Sequence, residues 1–152
     1  MNTSQPSQTR RRAGGFSLIE LLIVVAIIGI VAAIAVPNYI ESQHAACAAS
    51  AVESLRTIHS SEVSYRAANN RFADLGTLGA GNYINDEYVV AGAKSRYSFA
   101  LTVNPADPDS DYQATASPTL ITGRWRHFFV DASGVLRSSL GSPASASSQP
   151  LD

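Results

Sequence analysis

The first pattern along the chain is a long run of apolar residues near its N-terminus, after a polar and basic beginning. From Phe16 to Val36, 14 of 21 positions are Phe, Leu, Ile or Val. As a helix rising 1.5 Å per residue, this run is about 31 Å long, which matches the hydrocarbon core of a bilayer. Its large apolar side chains together contribute about 4 to 8 kcal/mol to insertion, more than the roughly 3 kcal/mol that the carboxylate of Glu20 costs. We therefore predict a membrane-spanning helix over residues 16–37.

Charge at the start of the chain predicts the orientation of this helix. Residues 1–12 end in three consecutive arginines, Arg10, Arg11 and Arg12. Basic residues beside a membrane span tend to stay on the cytoplasmic side. The part of the chain that follows the span is therefore expected outside the cytoplasm.

Beyond Pro37 the pattern changes to that of a helix with one apolar face. Residues 38–69 contain neither Pro nor Gly, so the helix is predicted to continue to Asn69. Small and apolar residues at helical spacing predict a buried face made of Ala48, Ala51, Val52, Leu55, Ile58 and Tyr65. Charged residues are predicted on the remaining, solvated faces, at Glu41, Glu53, Arg56, Glu62 and Arg66. Cys47 lies among alanines and is interpreted as a small packing residue.

The C-terminal part of the chain is typical of a loop followed by short strands. Residues 70–95 contain scattered glycines and are predicted to be a connecting loop with room for one short helical turn. Alternating apolar and polar positions predict an antiparallel sheet within residues 96–140, with strands at 97–103, 112–116, 125–130 and 135–137 and a turn at 131–134. The Ser-rich residues 141–152 are predicted to be a flexible tail. The expected fold class is α+β, a long N-terminal helix whose outer half packs against a small antiparallel sheet.

Composition excludes several classes of function. The net charge is -1 and no basic run follows the three arginines, so the chain lacks the electrostatic surface of a dedicated nucleic-acid binder. A single cysteine allows neither an intrachain disulfide nor a metal site built from several thiolates. The three histidines, His44, His59 and His127, are far apart and match no catalytic or zinc signature. We therefore expect no enzymatic activity and assign no catalytic residue.

Three aspartates are the one weak indication of a metal site. Asp107, Asp109 and Asp111 alternate like the start of an EF-hand calcium loop. The sixth and twelfth positions of that template hold Tyr112 and Pro118 instead of glycine and glutamate, so the segment is not an EF-hand. An acidic, solvated turn is the favoured interpretation. No cofactor is expected, and the three aspartates stay weak candidates for calcium.

The N-terminal segment is open to three interpretations. A secretory signal would be cut near Ala33-Ile34-Ala35, and a plain membrane anchor would not be cut. Both leave Glu20 as a cost without a purpose. The third interpretation rests on the run GGFSLIELLIVVAIIGI at residues 14–30, which continues to Pro37. This run resembles the class III signal of type IV pilins and pseudopilins, in which a glycine, an aromatic residue, a glutamate five residues into the span and a proline at its end fall at the same places.

The resemblance implies a maturation step and an assembly role. Prepilin peptidase would cut between Gly15 and Phe16, remove residues 1–15 as a basic leader and methylate the new amino group of Phe16. Glu20 would then pair with that amine on a neighbouring copy and select the stagger between subunits. The competing interpretation is that Glu20 merely snorkels toward the lipid headgroups. Gly29 and Pro37 are expected to let the helix loosen between them on assembly, although the small Gly29 would equally serve close helix packing.

By the same resemblance the fold is the pilin fold and the function is structural. The first expectation is a subunit of a type IV pilus filament that serves adhesion, twitching motility or a related surface function. The alternatives are a pseudopilin of a type II secretion system and a monomeric membrane-anchored binding module. The lack of a cysteine pair departs from many type IV pilins and favours the pseudopilin.

The resemblance also implies partners and a location. The partners are further copies in a filament, prepilin peptidase, and an inner-membrane platform with its assembly ATPase. The precursor would cross the bacterial inner membrane once, with its N-terminus in the cytoplasm. The mature chain would then enter a cell-surface pilus or a periplasmic pseudopilus.

Overall fold

One long helix makes up much of the N-terminal half of the chain. The computed structural model describes residues 15–85, 93–120 and 125–151, and it places helix α1 at Leu18–Asn69. Residues up to Ile40 form one compact unit and residues from Glu41 onward form a second. The helix contains Pro37 within its span, so the proline does not end it. Apart from Gly15, the predicted leader lies outside the described residues.

Helix α1 ends at the residue that the sequence predicts. The helix ends at Asn69, and Asn70 adopts a left-handed conformation with φ of 55°. The amide of Asn70 donates to the carbonyl oxygen of Arg66 at 2.8 Å and so satisfies one of the last carbonyls of the helix. Asparagine accepts this backbone conformation better than most residues.

The connection after α1 contains the short helical turn that the sequence allowed. Helix α2 (Leu75–Ala80) begins after Asp74, whose carboxylate accepts a hydrogen bond from the amide of Thr77 at 2.7 Å. This cap lowers the pKa of Asp74 below its usual value. Residues 86–92 of the predicted loop lie outside the described residues. The prediction of a loop up to residue 95 is wrong at its end, because β1 (Ala93–Lys94) pairs with the following strand.

The C-terminal unit contains an antiparallel sheet in which neighbouring strands follow one another along the chain. Its order is β1-β2-β3-β4-β5-β6. The four predicted strands are present as β2 (Tyr97–Val103), β3 (Tyr112–Pro118), β4 (Arg126–Asp131) and β5 (Arg137–Leu140). Strand β5 begins later than predicted, because residues 134–136 still belong to the connection after β4. The connection between β3 and β4 at residues 121–124 lies outside the described residues.

The prediction of a flexible tail over residues 141–152 is wrong for most of that segment. Strand β6 (Gln149–Pro150) pairs with β5, and the amide of Leu151 donates to the carbonyl oxygen of Leu136 at 2.8 Å. The guanidinium of Arg137 donates to the carbonyl oxygen of Ser148 at 3.1 Å. The tail is held mainly through backbone groups, which a Ser-rich composition does not reveal. Proline is accepted in β6 because this strand is at the edge of the sheet.

The core of the C-terminal unit lies between α1 and one face of the sheet. Of the predicted apolar face of α1, Ala51, Leu55, Ile58 and Tyr65 are buried, while Ala48 and Val52 are half-buried. The sheet contributes large, fully buried side chains from alternating strand positions, namely Tyr97, Tyr112 and Phe128. Trp125, the single tryptophan of the chain, is buried and stacks on His44 with ring centroids 4.1 Å apart. Its fluorescence is therefore a probe of this core.

The turn after β4 places a glycine directly against α1. Gly134 has a φ of +73°, and a Cβ at this position would lie 2.9 Å from Nε2 of His59. We expect Gly134→Ala to lower the free energy of unfolding by about 2 kcal/mol, since it adds a steric conflict to backbone strain. Gly141→Ala is the matched control, because its φ is +75° but nothing lies within 4 Å of the added Cβ. Equal losses in the two variants, measured by urea unfolding, would contradict the proposed conflict with His59.

Candidate functional site

The apolar half of α1 is exposed along its whole length. Among the large apolar residues from Phe16 to Val36, exposed fractions run from 44% at Val24 to 79% at Leu18. By length and composition the helix is able to cross a membrane, since an 18-residue window has a mean hydropathy of 3.0 and no buried residue. An apolar surface of this extent is not stable in water. It requires either lipid or other protein chains to cover it.

The helix begins at Leu18, two residues beyond the predicted cleavage point. Gly15, Phe16 and Ser17 precede it without regular structure, and the Phe16 side chain is 75% exposed. Oε2 of Glu20 accepts a hydrogen bond from the amide of Ser17 at 3.4 Å. The carboxylate therefore lies at the N-terminal end of the helix, where the helix dipole favours a negative charge. In this position it is one residue away from the amino group that cleavage before Phe16 would create.

The two predicted points of helix loosening are both helical here. Gly29 and Pro37 lie within α1, and a Cβ added at Gly29 would meet nothing within 4 Å. Within the described residues, the lack of a side chain at Gly29 therefore serves no packing in this copy. Loosening of the helix in a filament stays a prediction.

The three aspartates of the weak calcium hypothesis lie in the loop between β2 and β3. Two backbone hydrogen bonds fold this loop. The amide of Asp107 donates to the carbonyl oxygen of Asn104 at 3.1 Å, and the amide of Asp111 donates to the carbonyl oxygen of Asp107 at 3.3 Å. In the part of the chain that the structure describes, no three His, Cys, Asp or Glu side chains gather into a group suited to a metal ion. The aspartates are brought into one loop but not into a metal site.

The structure contains one buried carboxylate that the sequence analysis placed wrongly. Glu62 was predicted on a solvated face of α1, but its side chain is fully buried. Its Oε2 accepts a hydrogen bond from the amide of Ala73 at 3.1 Å, whereas its Oε1 has no hydrogen-bond partner. The spacing along α1 indicated this burial, because Glu62 follows Leu55 by seven residues and precedes Tyr65 by three, which places it on the apolar face.

Burial changes the acidity of Glu62. Desolvation raises the pKa of this carboxyl from 4.5 to about 7, the hydrogen bond from Ala73 opposes that rise, and the negative charge of Asp74 adds to it. Glu62 is thus held close to its midpoint of titration at neutral pH. It connects α1 to the segment that leads into α2.

A second polar contact on the same side of α1 involves His59. Nδ1 of His59 lies 2.5 Å from the hydroxyl of Tyr112, which is fully buried at the start of β3. Burial raises the pKa of Tyr112 above its ordinary value, and the charges of Glu62 and Asp131 act in the same direction. The tyrosine therefore stays neutral and forms a hydrogen bond that ties α1 to the sheet. Nothing in the sequence predicts this contact, because His59 and Tyr112 are 53 positions apart.

Comparison with known proteins agrees with the geometry of the N-terminal segment. A family model described as the prokaryotic N-terminal methylation motif matches residues 10–36. The chain is 43% identical over 68 residues to the type IV major pilin protein PilA of Myxococcus xanthus, which covers 45% of this chain and 31% of that protein. It is 36% identical over 98 residues to a fimbrial protein of Dichelobacter nodosus, covering 62% and 61% of the two chains.

A third relative comes from a secretion system. The chain is 33% identical over 63 residues to type II secretion system core protein G of Aeromonas hydrophila, covering 41% of this chain and 44% of that protein. These matches span between 31% and 61% of the length of the curated relatives. No solved structure matches the chain. The methylation motif and the three relatives support a type IV pilin or pseudopilin family for this chain, and the long helix joined to an antiparallel sheet is a pilin-like architecture.

Proposed function

We propose that this chain is a structural subunit of a type IV pilus filament, made as a membrane-anchored precursor and assembled after its leader is removed. The observation that carries the proposal is the exposed apolar segment from Phe16 to Val36, with its single carboxylate four residues after Phe16. Lipid covers this helix in the precursor, and the same surface of other copies covers it in the filament. The role is structural, and no catalytic step is proposed.

Energetics favour an assembly that other components drive. Transfer of the apolar helix from lipid to a protein core gains little hydrophobic free energy, because both surroundings are apolar. Close packing, pairing of Glu20 with the amine of Phe16, and work by an assembly ATPase at the inner membrane would supply the difference. The filament and this machinery are therefore the partners that we propose.

A surface pilus is favoured over a periplasmic pseudopilus. Two of the three relatives carry a pilin or fimbrial name, and their alignments are longer than that of the secretion protein. The pseudopilin stays the second candidate, because one relative belongs to a type II secretion system and the chain has a single cysteine.

Intact mass spectrometry tests the proposal directly. Filaments sheared from the cell surface and the membrane fraction of the same cells are analysed side by side. A sheared chain that starts at methylated Phe16 is expected, with 137 of the 152 residues left after loss of the first 15. The same mature chain found only in membranes would favour the pseudopilin. A chain that retains Met1 to Gly15 would contradict the proposal.

Replacement of Gly15 tests the cleavage point separately. We expect Gly15→Val to leave residues 1–15 attached, because a peptidase that recognises the glycine before the cut does not accept a branched side chain there. A Cβ at Gly15 meets nothing within 4 Å, so the substitution does not disturb the folded chain itself. The measurement is the mass of the membrane-bound product. A product of mature mass would rule out this cleavage point.

A further inference from the structure

An open groove runs between α1 and the C-terminal edge of the sheet. Its floor consists of small side chains from α1, and its wall comes from strands β4, β5 and β6 and from Leu151. The residues concerned are Ala45, Ala48, Ala49, Val52, Phe128 and Leu151. The cavity measures about 740 Å³. We call it the α1–β6 groove.

Among the described residues that line the α1–β6 groove, two arginines and one glutamate give a net positive charge. Arg126 is exposed at the start of β4, and its guanidinium donates a long hydrogen bond, of 3.4 Å, to the hydroxyl of Ser138. Arg56 also lines the groove, but it is paired with Glu53 at 3.7 Å. No carboxylate in the described part of the chain pairs with Arg126. An apolar groove with one uncompensated cation suits an occupant that is partly apolar and acidic.

One described segment of this chain has that chemistry. The loop at residues 104–111, between β2 and β3, reads NPADPDSD and exposes Pro105 and Pro108 together with Asp107 and Asp109. No basic side chain from the described residues forms an ion pair with either aspartate. The loop is already folded, since the side chain of Asn104 accepts from the amide of Ala106 at 3.1 Å. Docking of this loop would therefore cost little additional conformational entropy.

The loop and the groove of one chain lie too far apart to meet. The carbonyl oxygen of Pro108 accepts from the amide of Phe72 at 2.9 Å. Asp109 and Ser110 line a cavity together with Val63, so the loop lies against the last turns of α1. The groove extends along α1 from Ala45 to Arg56. The 14 residue steps from Ala49 in the groove to Val63 beside the loop correspond to about 21 Å along the helix axis. A second copy shifted along this axis, as in a filament, removes that separation.

We propose that the α1–β6 groove of one copy binds the 104–111 loop of a second copy, with Asp107 and Asp109 facing Arg126. The two prolines of the loop lie against the small apolar side chains of the groove floor. The inference rests on the proposed filament, and it names the surfaces through which the C-terminal units of successive copies meet. Charge complementarity defines the occupant, since the groove offers a cation and the loop offers carboxylates.

Disulfide crosslinking of the full chain tests the contact. The chain has one cysteine, so Cys47→Ser provides a cysteine-free background. Ala49→Cys in the groove is combined with Ser110→Cys in the loop, two exposed positions, in cells that assemble the parent chain. Because these positions are far apart within one copy, a bridge between them must join two copies. Mild oxidation is expected to give dimers and a ladder of higher multimers.

A matched pair controls for random collision. Ser95 is exposed at the turn between β1 and β2, on the opposite edge of the sheet, and its hydroxyl lies 2.9 Å from that of Ser50 on α1. It is therefore close to the same level of α1 as the groove. The pair Ser95→Cys with Ser110→Cys is expected to give no ladder. Equal crosslinking by the two pairs, or none with Ala49→Cys in assembled filaments, would overturn the proposal.

Charge reversal tests the recognition itself. Arg126→Glu in the crosslinking chain is expected to lower the dimer yield about fivefold, the effect of roughly 1 kcal/mol. Adding Asp107→Arg and Asp109→Arg to that chain is expected to restore the yield. If the dimer yield is not restored although filaments are present, the proposed pairing of Arg126 with the two aspartates is wrong. A parent chain that yields neither mature protein nor filaments contradicts the proposed function as a whole, whereas filaments without the crosslink contradict only this inference.

Discussion

Replacing Glu62 by glutamine is expected to remove a loss of stability that the parent chain suffers as the pH rises from about 4.5 to 7. Glu62 is fully buried, and desolvation raises its pKa in the folded chain to about 7. The folded state therefore holds the proton more tightly than the unfolded state, whose carboxyl has a pKa of 4.5. The stabilising contribution of the neutral carboxyl is complete below pH 4.5 and is lost as the pH rises through 7.

The expected size of this effect is large for a single side chain. A difference between 4.5 and about 7, at 1.36 kcal/mol per pKa unit, corresponds to about 3 kcal/mol. Glutamine keeps an oxygen that accepts from the amide of Ala73, but it does not ionise. Its buried amide also adds a cost of about 1 to 3 kcal/mol that does not vary with pH. The informative quantity is thus the change with pH of the difference between parent and variant.

Urea unfolding of the full chain in detergent, followed by the fluorescence of Trp125, measures this quantity at several pH values. Trp125 is the single tryptophan and is buried in the C-terminal unit, so its emission reports on the core that holds Glu62. Glu53→Gln is the matched control, because that carboxylate is exposed and lies on the same helix. Its curve is expected to follow the parent within about 0.5 kcal/mol. Parallel curves for the parent and Glu62→Gln would show that the burial of Glu62 has no such consequence.

Replacing Glu20 by alanine is expected to leave cleavage intact but to reduce filament yield about a hundredfold. The proposed cut lies between Gly15 and Phe16, before the residue that changes. In the filament, loss of the carboxylate leaves the amine of Phe16 as an unpaired charge among apolar helices, at a cost of about 3 kcal/mol per contact. A cost of that size corresponds to about two powers of ten in an equilibrium constant.

The measurement is the amount of sheared filament relative to mature chain in the membrane. Glu20→Gln preserves the size of the side chain but not its charge, so it separates charge from packing and should behave like alanine. Glu41→Ala is the control, since this carboxylate is exposed on the same helix beyond the apolar segment. A normal filament yield from either Glu20 variant would support the interpretation that the side chain only snorkels toward the headgroups.

Much of the fold follows from periodicity that is visible in the sequence. The end of α1 at Asn69 and the strands β2 and β4 were predictable because each has several residues in a regular apolar pattern with a turn former at its limit. The short strands β1 and β6 were missed. Each has two residues, too few to show a pattern, and each exists only because a neighbouring strand offers backbone groups to pair with.

Part of the candidate site was also predictable from the sequence, and part was not. Gly15, Phe16 and Glu20 are close in the sequence, so their arrangement at the start of a helix could be foreseen from spacing alone. Glu62 could not be assigned with the same ease. Its spacing from Leu55 and Tyr65 indicates the apolar face of α1, whereas its charge indicates a solvent-exposed position. The outcome depended on Ala73, whose amide satisfies one carboxylate oxygen in the interior.

The sequence by itself determined the features that depend on neighbours along the chain: the length and polarity of the apolar helix, the three arginines before it, the spacing from Phe16 to Glu20, and the α+β order of elements. Only the tertiary structure decided the features that depend on distant segments meeting. These are the burial of Glu62, the contact of His59 with Tyr112, the anchoring of the tail by Arg137 and the α1–β6 groove. The physical reason is that helix and strand periodicity are local, whereas desolvation and backbone pairing depend on which segment covers a given face.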